Sequence, residues 1–428
     1  MRFSQNPTRR DFLKKSAAAT AVLALPTFLP GEVLGLDGAT SPNNKIVVGG
    51  IGINNRGGYV LSFFLNQKDV RFAAVADIRR ERREQVKEWT QREQGTNDVG
   101  MYRDFRELLE RPDIDAVLIA TGDRWHAHMS IYAARAGKDV YSEKPCAITI
   151  ELCGKLADTM KQYGTVFQGG TQRRNVSHFR YAVDLARTGR LGKLHTMHAS
   201  IYHLRQDPEL AWLEEQPMPD KNDIDWDLWL GPAAWRPYNI NYVMGSWRGH
   251  YDFDSGTSHH DWGVHSVDLC QFALGDPVIP ARYRREGHRL YAEYENGIKL
   301  VMRPDDWMGL GMCPVRFEGS EGWVEAGDSG LEVSHPSLRG LTRDYETQIS
   351  DATSAYGHVR EFLDCVKSRK QPICNADIIR NSHVVCHASA INWLLNRDLR
   401  LDPKTETFIG DDEANRMRSF AQREPWVV

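Results

Sequence analysis

The chain has 428 residues, with 54 Lys and Arg against 57 Asp and Glu, a net charge of −3 and 41% hydrophobic residues. This near-balance offers no basic surface for nucleic acid or for an acidic membrane, so we expect no nucleic-acid partner. The length predicts two domains or one oversized domain. The seven cysteines lack Cys-x-x-Cys spacing, which favours small buried hydrophobic residues over a disulfide framework or a zinc site.

The N-terminal segment has the form of an export signal. The motif Thr-Arg-Arg-Asp-Phe-Leu-Lys at residues 8–14 precedes an apolar run over 17–25, and Pro26 and Pro30 interrupt the chain soon after. This order is typical of a twin-arginine signal, and the run is short for a transmembrane span. We predict a signal peptide over 1–40, the Tat export machinery as a partner and a periplasmic protein, membrane-anchored if the signal stays uncleaved.

A strand, a glycine turn and a helix come next in the sequence. After Lys45, residues 46–51 are apolar and rich in β-branched side chains, which predicts a strand buried on both faces. The turn has Gly52 and Gly57 in the G-x-G-x-x-G register, with Asn54 at the second glycine position. Such a turn can place helix N-terminal N–H groups against a pyrophosphate. At this point a ligand-free turn remains the alternative.

Strands and helices then alternate as far as about residue 165, which predicts a parallel sheet. The second strand ends at Asp77, about 25 positions after Gly52, where a carboxylate can bind the adenosine ribose hydroxyls. Asp77 favours NAD, because the 2′-phosphate of NADP would meet a carboxylate, whereas Arg79 and Arg80 keep NADP open. The predicted elements are strands over 70–76, 115–121 and 138–142 and helices over 81–94, 105–110 and 128–136.

Polar residues follow two of these strands. The segment 122–128 comes after the strand 115–121, and Glu143-Lys144-Pro145 comes after the strand 138–142. Ligands bind at the carboxyl edge of an open α/β sheet. A lysine at that edge can donate a hydrogen bond to a hydroxyl or carbonyl oxygen, and burial can tune its pKa for proton transfer. Lys144 is therefore the first catalytic candidate.

The pattern changes after residue 165. A strand over 166–170 and a helix ending near Arg187 precede alternating strand patterns over 195–203 and 290–302, which predict a second α+β domain with an open, mainly antiparallel sheet. Amphipathic helices are predicted over 358–366 and 378–395, and we expect them to complete the structure. The loop over 204–260 is rich in aromatic residues, which suit a sugar-stacking wall, an oligomer contact or simple packing of a long loop.

Asp261 and His265 are the second catalytic candidates. They are four residues apart, so a helix would place both on one face. A carboxylate beside an imidazole suits general-base chemistry. The adjacent His259 and His260 suggest metal ligation as an alternative, but neighbouring side chains point apart on a helix, and we favour no metal. Asp268 is expected to serve the structure.

These motifs resemble the Gfo/Idh/MocA oxidoreductases over roughly residues 45–395. The resemblance rests on the glycine turn 52–57, Asp77, Ala120-Thr121 with Trp125-His126, Glu143-Lys144-Pro145 and the pattern Asp261-x3-His265-x2-Asp268. It implies an α/β protein with an N-terminal Rossmann dinucleotide-binding domain over 41–165. The C-terminal α+β domain over 166–428 would have a large open, mainly antiparallel sheet for substrate binding and homo-oligomerisation.

The resemblance also implies an NAD(P)-dependent oxidoreductase that transfers hydride between nicotinamide and the hydroxyl carbon of a sugar or cyclitol. Lys144 would bind the reacting hydroxyl and the nicotinamide ribose, His265 would take or return the proton, and Asp261 would assist. Cofactor contacts are expected from Gly52, Asn54, Asn55, Arg56, Gly57, Asp77, Thr121, Asp123, Trp125, His126, Glu143, Lys144 and Asn175. Substrate contacts are expected from Arg173, Tyr202, His203, Trp247, Asp261 and His265.

A secreted branch of the same superfamily suggests an alternative activity. Its α-N-acetylgalactosaminidase-type members hydrolyse glycosides with a tightly held NAD that oxidises C3 transiently before elimination. That branch often lacks the lysine of Glu-Lys-Pro, which this chain keeps, yet the chain shares the export signal and the Arg-Arg-Asn segment at 173–175. The sequence departs from the family pattern at Asn54 and Gly122. We expect an NAD held tightly enough to survive export.

Overall fold

The computed structural model describes residues 44–201, 210–256, 258–275, 278–304, 309–339 and 355–428. The predicted signal peptide and two predicted substrate contacts, Tyr202 and His203, lie outside these ranges. Within the described ranges, every helix is too short or too polar to cross a membrane. All seven cysteines fall inside them, and each is buried, as the sequence predicts for small hydrophobic residues.

Parallel strands and their helices build the first half of the described chain. Its strands are β1 (Ile46–Ile51), β2 (Val70–Ala76), β3 (Gly100–Tyr102), β4 (Ala116–Ile119), β5 (Asp139–Ser142) and β6 (Phe167–Gly169). Its helices are α1 (Asn55–Leu65), α2 (Arg80–Gln94), α3 (Phe105–Leu109), α4 (Asp123–Arg135) and α5 (Ile150–Tyr163).

The strand order, β3-β2-β1-β4-β5-β6, reverses direction at β1. All the strand pairs in this sheet are parallel, with β1 between β2 and β4. In open α/β sheets a crevice forms beyond the carboxyl ends of the strands at such a reversal. The predicted Rossmann sheet is confirmed, and its topology places the site between the ends of β1 and β4.

Helix α4 begins earlier than the sequence predicts. We expected a polar loop over 122–128, but the chain is helical from Asp123, with Gly122 in extended backbone (φ −79°, ψ 151°) at the N-cap. The residues of this first turn are buried, because Trp125 and Ala127 join the apolar core of the protein. Tertiary packing therefore makes the polar segment 123–128 helical, although its sequence pattern predicts a loop.

Mixed strands and further helices build the second half. The strands are β7 (Leu194–Ser200), β8 (Arg282–Glu286), β9 (Arg289–Glu293), β10 (Lys299–Arg303), β11 (Val315–Gly319), β12 (Gly322–Gly327), β13 (Gly330–Val333), β14 (Leu399–Asp402) and β15 (Thr407–Phe408). The helices are α6 (Ser177–Arg187), α7 (Trp226–Leu230), α8 (Ser258–Asp261), α9 (Gly263–Leu274), α10 (Tyr356–Ser368), α11 (Ala376–Leu395) and α12 (Asp412–Arg416). Shorter helical turns are Gln172–Asn175, Tyr242–Ser246 and Pro336–Arg339.

In the described chain these strands form a second sheet in the order β13-β12-β11-β7-β10-β9-β8-β14-β15. The β7–β10 pair is parallel and the other pairs are antiparallel, which confirms the predicted mainly antiparallel sheet. The segment 290–302, predicted as one alternating strand, is a hairpin. Gly297 has a φ of 82° in its turn, where a left-handed backbone conformation breaks the strand.

Two structural features connect the parts of the chain on either side of residue 165, the predicted domain boundary. Strand β6 lies beyond that boundary but pairs with β5 in the first sheet. Helix α10 also returns to the first sheet, where the Phe362 ring lies 6.2 Å from that of Phe64 and 5.9 Å from that of Tyr141. Arg360 forms an ion pair with Asp69 at 2.8 Å beside this contact. Segments that follow residue 165 therefore contribute to the packing of the first sheet.

The predicted single helix around Asp261 is divided in two. Helix α8 ends at Asp261, and α9 begins at Gly263, on the other side of Trp262. A Cβ atom on Gly263 would lie 2.8 Å from the Cα of Ile201, at the end of β7. Because this contact is with backbone, only glycine lets the strand end and the helix N-terminus approach so closely.

We predict that Gly263→Ala lowers the free energy of unfolding by about 2 kcal/mol, the cost of forcing a side chain into packed backbone. The matched control is Gly58→Ala in α1, where a new Cβ would approach nothing closer than a Trp89 carbon at 4.0 Å. This control should be neutral or stabilising by up to about 1 kcal/mol. Urea unfolding measures both variants, and equal destabilisation would contradict the close approach at Gly263.

Candidate active site

A cleft of about 340 Å³ lies at the carboxyl ends of β1, β2 and β4. Its lower wall comes from the strand ends and from the N-terminal turns of α1 and α4. Its upper wall comes from α7 and from the segment 243–248. Of the residues that the sequence predicts for ligand contacts, the cleft is lined by Gly52, Asn54, Asn55, Arg56, Gly57, Asp77, Thr121, Trp125 and Trp247.

The glycine turn is shaped as a cradle. Gly52 has a φ of 71°, and a Cβ there would lie 2.3 Å from the Thr121 Cγ2 atom. A Cβ on Gly57 would lie 2.8 Å from the Ala120 Cβ, so this glycine sets the close packing of α1 on β4. Both contacts match the roles of the first and third glycines in a dinucleotide fingerprint.

Asn54 occupies the position of the missing second glycine. It is the N-cap residue of α1 but its side chain makes no capping hydrogen bond. Its Oδ1 atom is buried and has no hydrogen-bond partner. The first N–H groups of the helix lack intrahelical acceptors and suit a diphosphate, and the unpaired amide oxygen can accept a hydrogen bond from a ligand hydroxyl. The turn therefore fits a dinucleotide despite the substitution.

Asp77 lies at the end of β2 and lines the cleft. One of its carboxylate oxygens accepts a hydrogen bond from the Arg79 N–H at 2.9 Å. Burial raises the pKa of this carboxyl group, against the opposing effect of Arg79 and Arg83. A carboxylate at the tip of the second strand is the group that binds ribose hydroxyls in this type of fold.

The upper wall of the cleft comes from the aromatic loop. The Trp226 and Trp229 rings stack at 4.6 Å, and Tyr242 and Phe253 join them in a small apolar cluster. The buried guanidinium of Arg124 lies 3.8 Å from the Trp229 ring centroid, and burial lowers its pKa to about 9. Most of these aromatic side chains thus serve packing, which holds the segment 243–248 over the cleft.

Lys144 and Asp261 meet beside this cleft. The Lys144 ammonium donates hydrogen bonds to the Asp261 carboxylate and to its backbone oxygen. The Arg248 guanidinium lies 3.4 Å from the same carboxylate and 3.6 Å from that of Asp123. Burial tends to raise the pKa of Asp261, but Lys144 and Arg248 outweigh it and the pKa is lowered. Asp261 is therefore a carboxylate at neutral pH.

His265 is buried on α9, beyond the helix break that follows Asp261. Burial is the largest cause that holds its pKa well below the ordinary value, and the charges of Arg173 and Lys144 act in the same direction. Its Nδ1 atom has no hydrogen-bond partner. A neutral imidazole with a free nitrogen can accept a proton, as the sequence predicts for this residue.

Other predicted ligand contacts lie behind the cleft. His126 bonds to the Thr121 and Pro145 backbone oxygens, and Glu143 pairs with Arg56 at 3.2 Å. The remaining contacts are Asp123 with Ser255 at 3.2 Å, Arg173 with Asp328 at 2.6 Å and Asn175 with Glu361 at 2.8 Å. Glu143, His126 and Asp123 thus contact the lining residues Arg56, Thr121 and Arg248.

Trp247, expected to contact substrate, lines the cleft. Asp268 forms a buried ion pair with Arg174 at 2.6 Å, which confirms its structural role. Within the described ranges, no three His, Cys, Asp or Glu side chains form a group that could hold a metal ion.

Three contributors to the site carry no recognisable sequence pattern: Arg248, Arg124 and the segment 243–245. Arg248 directly follows Trp247 in the aromatic loop, but no spacing connects it with Asp261. Residues that line a cleft from a long loop carry no helical or strand period, so only their aromatic neighbours signalled this region.

Two parts of the chain match family models. "Oxidoreductase family, NAD-binding Rossmann fold" matches residues 45–171, and "Oxidoreductase family, C-terminal alpha/beta domain" matches residues 209–428. Both belong to the Gfo/Idh/MocA set and together they cover most of the chain. The protein is therefore a member of the Gfo/Idh/MocA oxidoreductase family, and its first domain is of the NAD-binding type.

Individual relatives fall into two groups. An α-N-acetylgalactosaminidase of Shewanella oneidensis is 27% identical over 265 residues, which are 58% of this chain and 51% of that protein. The chain thus spans about half the length of the curated relatives it matches. The myo-inositol 2-dehydrogenase of Lactobacillus plantarum has a TM-score of 0.58 at 19% identity, over 84% of this chain and 100% of that one.

A second similar structure contains the cofactor. GenD2 from gentamicin A biosynthesis, solved with NAD, has a TM-score of 0.60 at 17% identity, over 84% of this chain and 97% of that one. At these identities the two solved structures show a shared fold and no more.

We predict that the protein loses stability in mild acid. Burial lowers the pKa of His128, His259 and His383 to about 4 and that of His387 to about 3. Unfolded histidines titrate near pH ~6.5, so below that value the unfolded state binds more protons and the native state is disfavoured. Each histidine costs up to ~1.4 kcal/mol per pH unit within this window.

Thermal unfolding at constant ionic strength should therefore show Tm falling steadily as the pH drops from about 7 to about 4.5. His128→Gln, which removes one of these groups away from the cleft, should make the decline shallower. A Tm that stays constant over this range would contradict the prediction.

Proposed function

We propose that the protein is an NAD-dependent oxidoreductase that transfers hydride between nicotinamide and a hydroxyl-bearing carbon of a sugar or cyclitol. One observation carries the proposal: the Lys144 ammonium is held on the Asp261 carboxylate beside a cleft that fits a dinucleotide. A bound NAD supplies the hydride acceptor or donor. The protein has to bind the alcohol, orient its carbon and move its proton.

The catalytic residues divide these tasks. Lys144 donates a hydrogen bond to the reacting hydroxyl oxygen and stabilises negative charge on it as the O–H bond breaks. Asp261 holds the ammonium in place through its carboxylate and its backbone oxygen. His265, neutral because it is buried, accepts the hydroxyl proton and returns it in the reverse direction.

Two features support a retained cofactor. The wall over the cleft is anchored by the cluster of Trp226, Trp229, Tyr242 and Phe253, so opening it means separating packed rings. The motif at residues 8–14 supports twin-arginine export, a route that folded proteins take. We propose a periplasmic protein carrying NAD from the cytoplasm, anchored in the membrane if the signal remains uncleaved. A homo-oligomer through the open second sheet follows from the family resemblance.

Similarity to the Shewanella α-N-acetylgalactosaminidase favours a second candidate function. In this case hydride transfer at C3 would be transient. The resulting ketone would acidify the neighbouring C–H bond at C2, and loss of that proton would expel the aglycone from C1. Addition of water and return of the hydride would then complete hydrolysis with no net redox change. Lys144 and His265 would act on the C3 hydroxyl as above.

The test compares wild type with Lys144→Met on a panel of sugars, cyclitols and aryl glycosides. Loss of the ammonium should lower kcat/KM about 10³-fold, as expected for an acid–base group. Asp98→Ala, an exposed carboxylate change in the first domain, serves as a control and should leave the rate unchanged. The oxidoreductase predicts reduced nicotinamide and a product with a carbonyl group at the oxidised carbon.

The glycosidase instead predicts hydrolysis without added NAD and solvent deuterium beside the oxidised carbon. Wild-type rates in Lys144→Met on every accepted substrate would contradict both functions.

Nucleotide preference is tested at Asp77. We expect Asp77→Ser to raise the preference for NADP over NAD by about tenfold to 100-fold, because it removes a carboxylate that a 2′-phosphate would face. Kinetic constants for both nucleotides, with the bound nucleotide first removed, measure the ratio. An unchanged ratio would mean that Asp77 does not contact the ribose.

A further inference from the structure

Three buried histidines bind backbone groups of the three consecutive residues that follow Lys144. The His126 Nδ1 lies 2.7 Å from the backbone oxygen of Pro145. The Cys146 N–H donates to the His383 Nε2 at 3.0 Å. The His387 Nε2 lies 3.1 Å from the backbone oxygen of Ala147.

The hydrogen-bond partners define the protonation of these rings. Since the Cys146 N–H is a donor, the His383 Nε2 is an acceptor, and its proton is on Nδ1, which donates to the Ile379 oxygen at 2.8 Å. His387 faces a carbonyl oxygen and therefore donates. His126 has a carbonyl oxygen at each ring nitrogen, and a neutral ring donates to one of them; the shorter contact, 2.7 Å to Pro145 against 3.1 Å to Thr121, favours donation from Nδ1 to Pro145. The three histidines thus act as donor, acceptor and donor, in the order His126, His383 and His387. This order is complementary to the Pro145 oxygen, the Cys146 N–H and the Ala147 oxygen along the loop. It requires a neutral ring at His383, which burial favours.

The same helix also holds the partner of Lys144. His383 and His387 lie one turn apart on α11, and both form hydrogen bonds with the backbone of residues 146–147, just after Lys144. Between them, the backbone oxygen of Cys386 lies 3.0 Å from the His259 Nε2 on α8, two residues before Asp261. Helix α11 thus contacts both chain segments whose side chains form the Lys144–Asp261 pair. His126, on α4, fixes the loop from the other side.

We propose that His126, His383 and His387 are positioning residues that clamp the backbone of residues 145–147 and so hold the Lys144 ammonium on Asp261. The clamp deepens the proposed function, since it concerns the lysine that acts there. The long lysine side chain is flexible, but it is anchored at its Cα atom. The position of the backbone therefore sets which partners the ammonium can reach. Ordinary core packing by the same histidines would affect stability without acting selectively on Lys144.

The test compares His383→Leu, which removes the acceptor, with His383→Gln, whose Oε1 can accept the Cys146 N–H. His128→Leu is the matched control, because His128 is equally buried but bonds to Gln422, away from the loop. The first readout is the rate at which acetic anhydride modifies Lys144, followed by peptide mass spectrometry. Lys138, buried and bonded to the Arg111 and Ile114 oxygens, is the internal reference.

In His383→Leu we expect Lys144 to react about tenfold faster while Lys138 is unchanged, because one strong constraint on the loop is lost. On an accepted substrate kcat should fall by up to about 100-fold with little change in KM, the effect of a displaced catalytic group. His383→Gln should restore both values to within about threefold of wild type. His128→Leu should leave both unchanged.

Equal Lys144 reactivity in His383→Leu and His128→Leu would overturn the clamp. Should His383→Leu not fold, hydrogen exchange in wild type decides: a slowly exchanging Cys146 amide supports the clamp, and exchange as fast as in an exposed loop overturns it. Labelling does not require turnover. Failure to find any substrate would therefore count against the proposed function, while the labelling result still judges the clamp.

Discussion

The ion pair between Lys144 and Asp261 joins the two halves of the site. Lys144 follows β5 of the parallel sheet, whereas Asp261 ends the short helix α8 of the second half. Both side chains are largely buried, so each has lost solvation and depends on the other for charge compensation. Removing Asp261 alone would leave the Lys144 ammonium buried without its counter-charge. Two further site residues lie around this ion pair. Arg248 brings a second cation to the Asp261 carboxylate. The helix break at Trp262 places His265 on the next helix.

The cleft and the catalytic pair depend on different physical effects. The cleft forms because strand order reverses at β1, which leaves a crevice that Gly52 and Gly57 keep free of side chains. The pair forms because α11 holds the loop after Lys144 and the segment before Asp261 against one surface. Arg248 touches both regions, since it lines the cleft and lies beside Asp261.

Local patterns were enough to predict the first sheet and its tip residues. Strand β2 ends where the apolar run ends. Gly52, Asp77 and Lys144 each follow a predicted strand, so the hydrophobic pattern and the strand ends place these residues at one edge of the sheet. Long-range contacts explain the features that local patterns did not predict. The helix break after Asp261 depends on the approach of Gly263 to Ile201, and α10 returns to a sheet far away in sequence. Arg173 and Asn175 pair with Asp328 and Glu361, carboxylates that no local spacing connects with them.

A nicotinamide dinucleotide inside the purified protein would be the most direct sign that the cleft serves as we propose. The protein should be purified without added nucleotide, denatured and its supernatant analysed by mass spectrometry. We expect NAD or NADH in an amount comparable with that of the protein, and its loss in Gly52→Val, where a side chain would enter the space next to Thr121. If no nucleotide is released, and calorimetric titration with NAD and with NADP shows no binding, the cleft is not a dinucleotide site and the proposed chemistry at Lys144 fails with it.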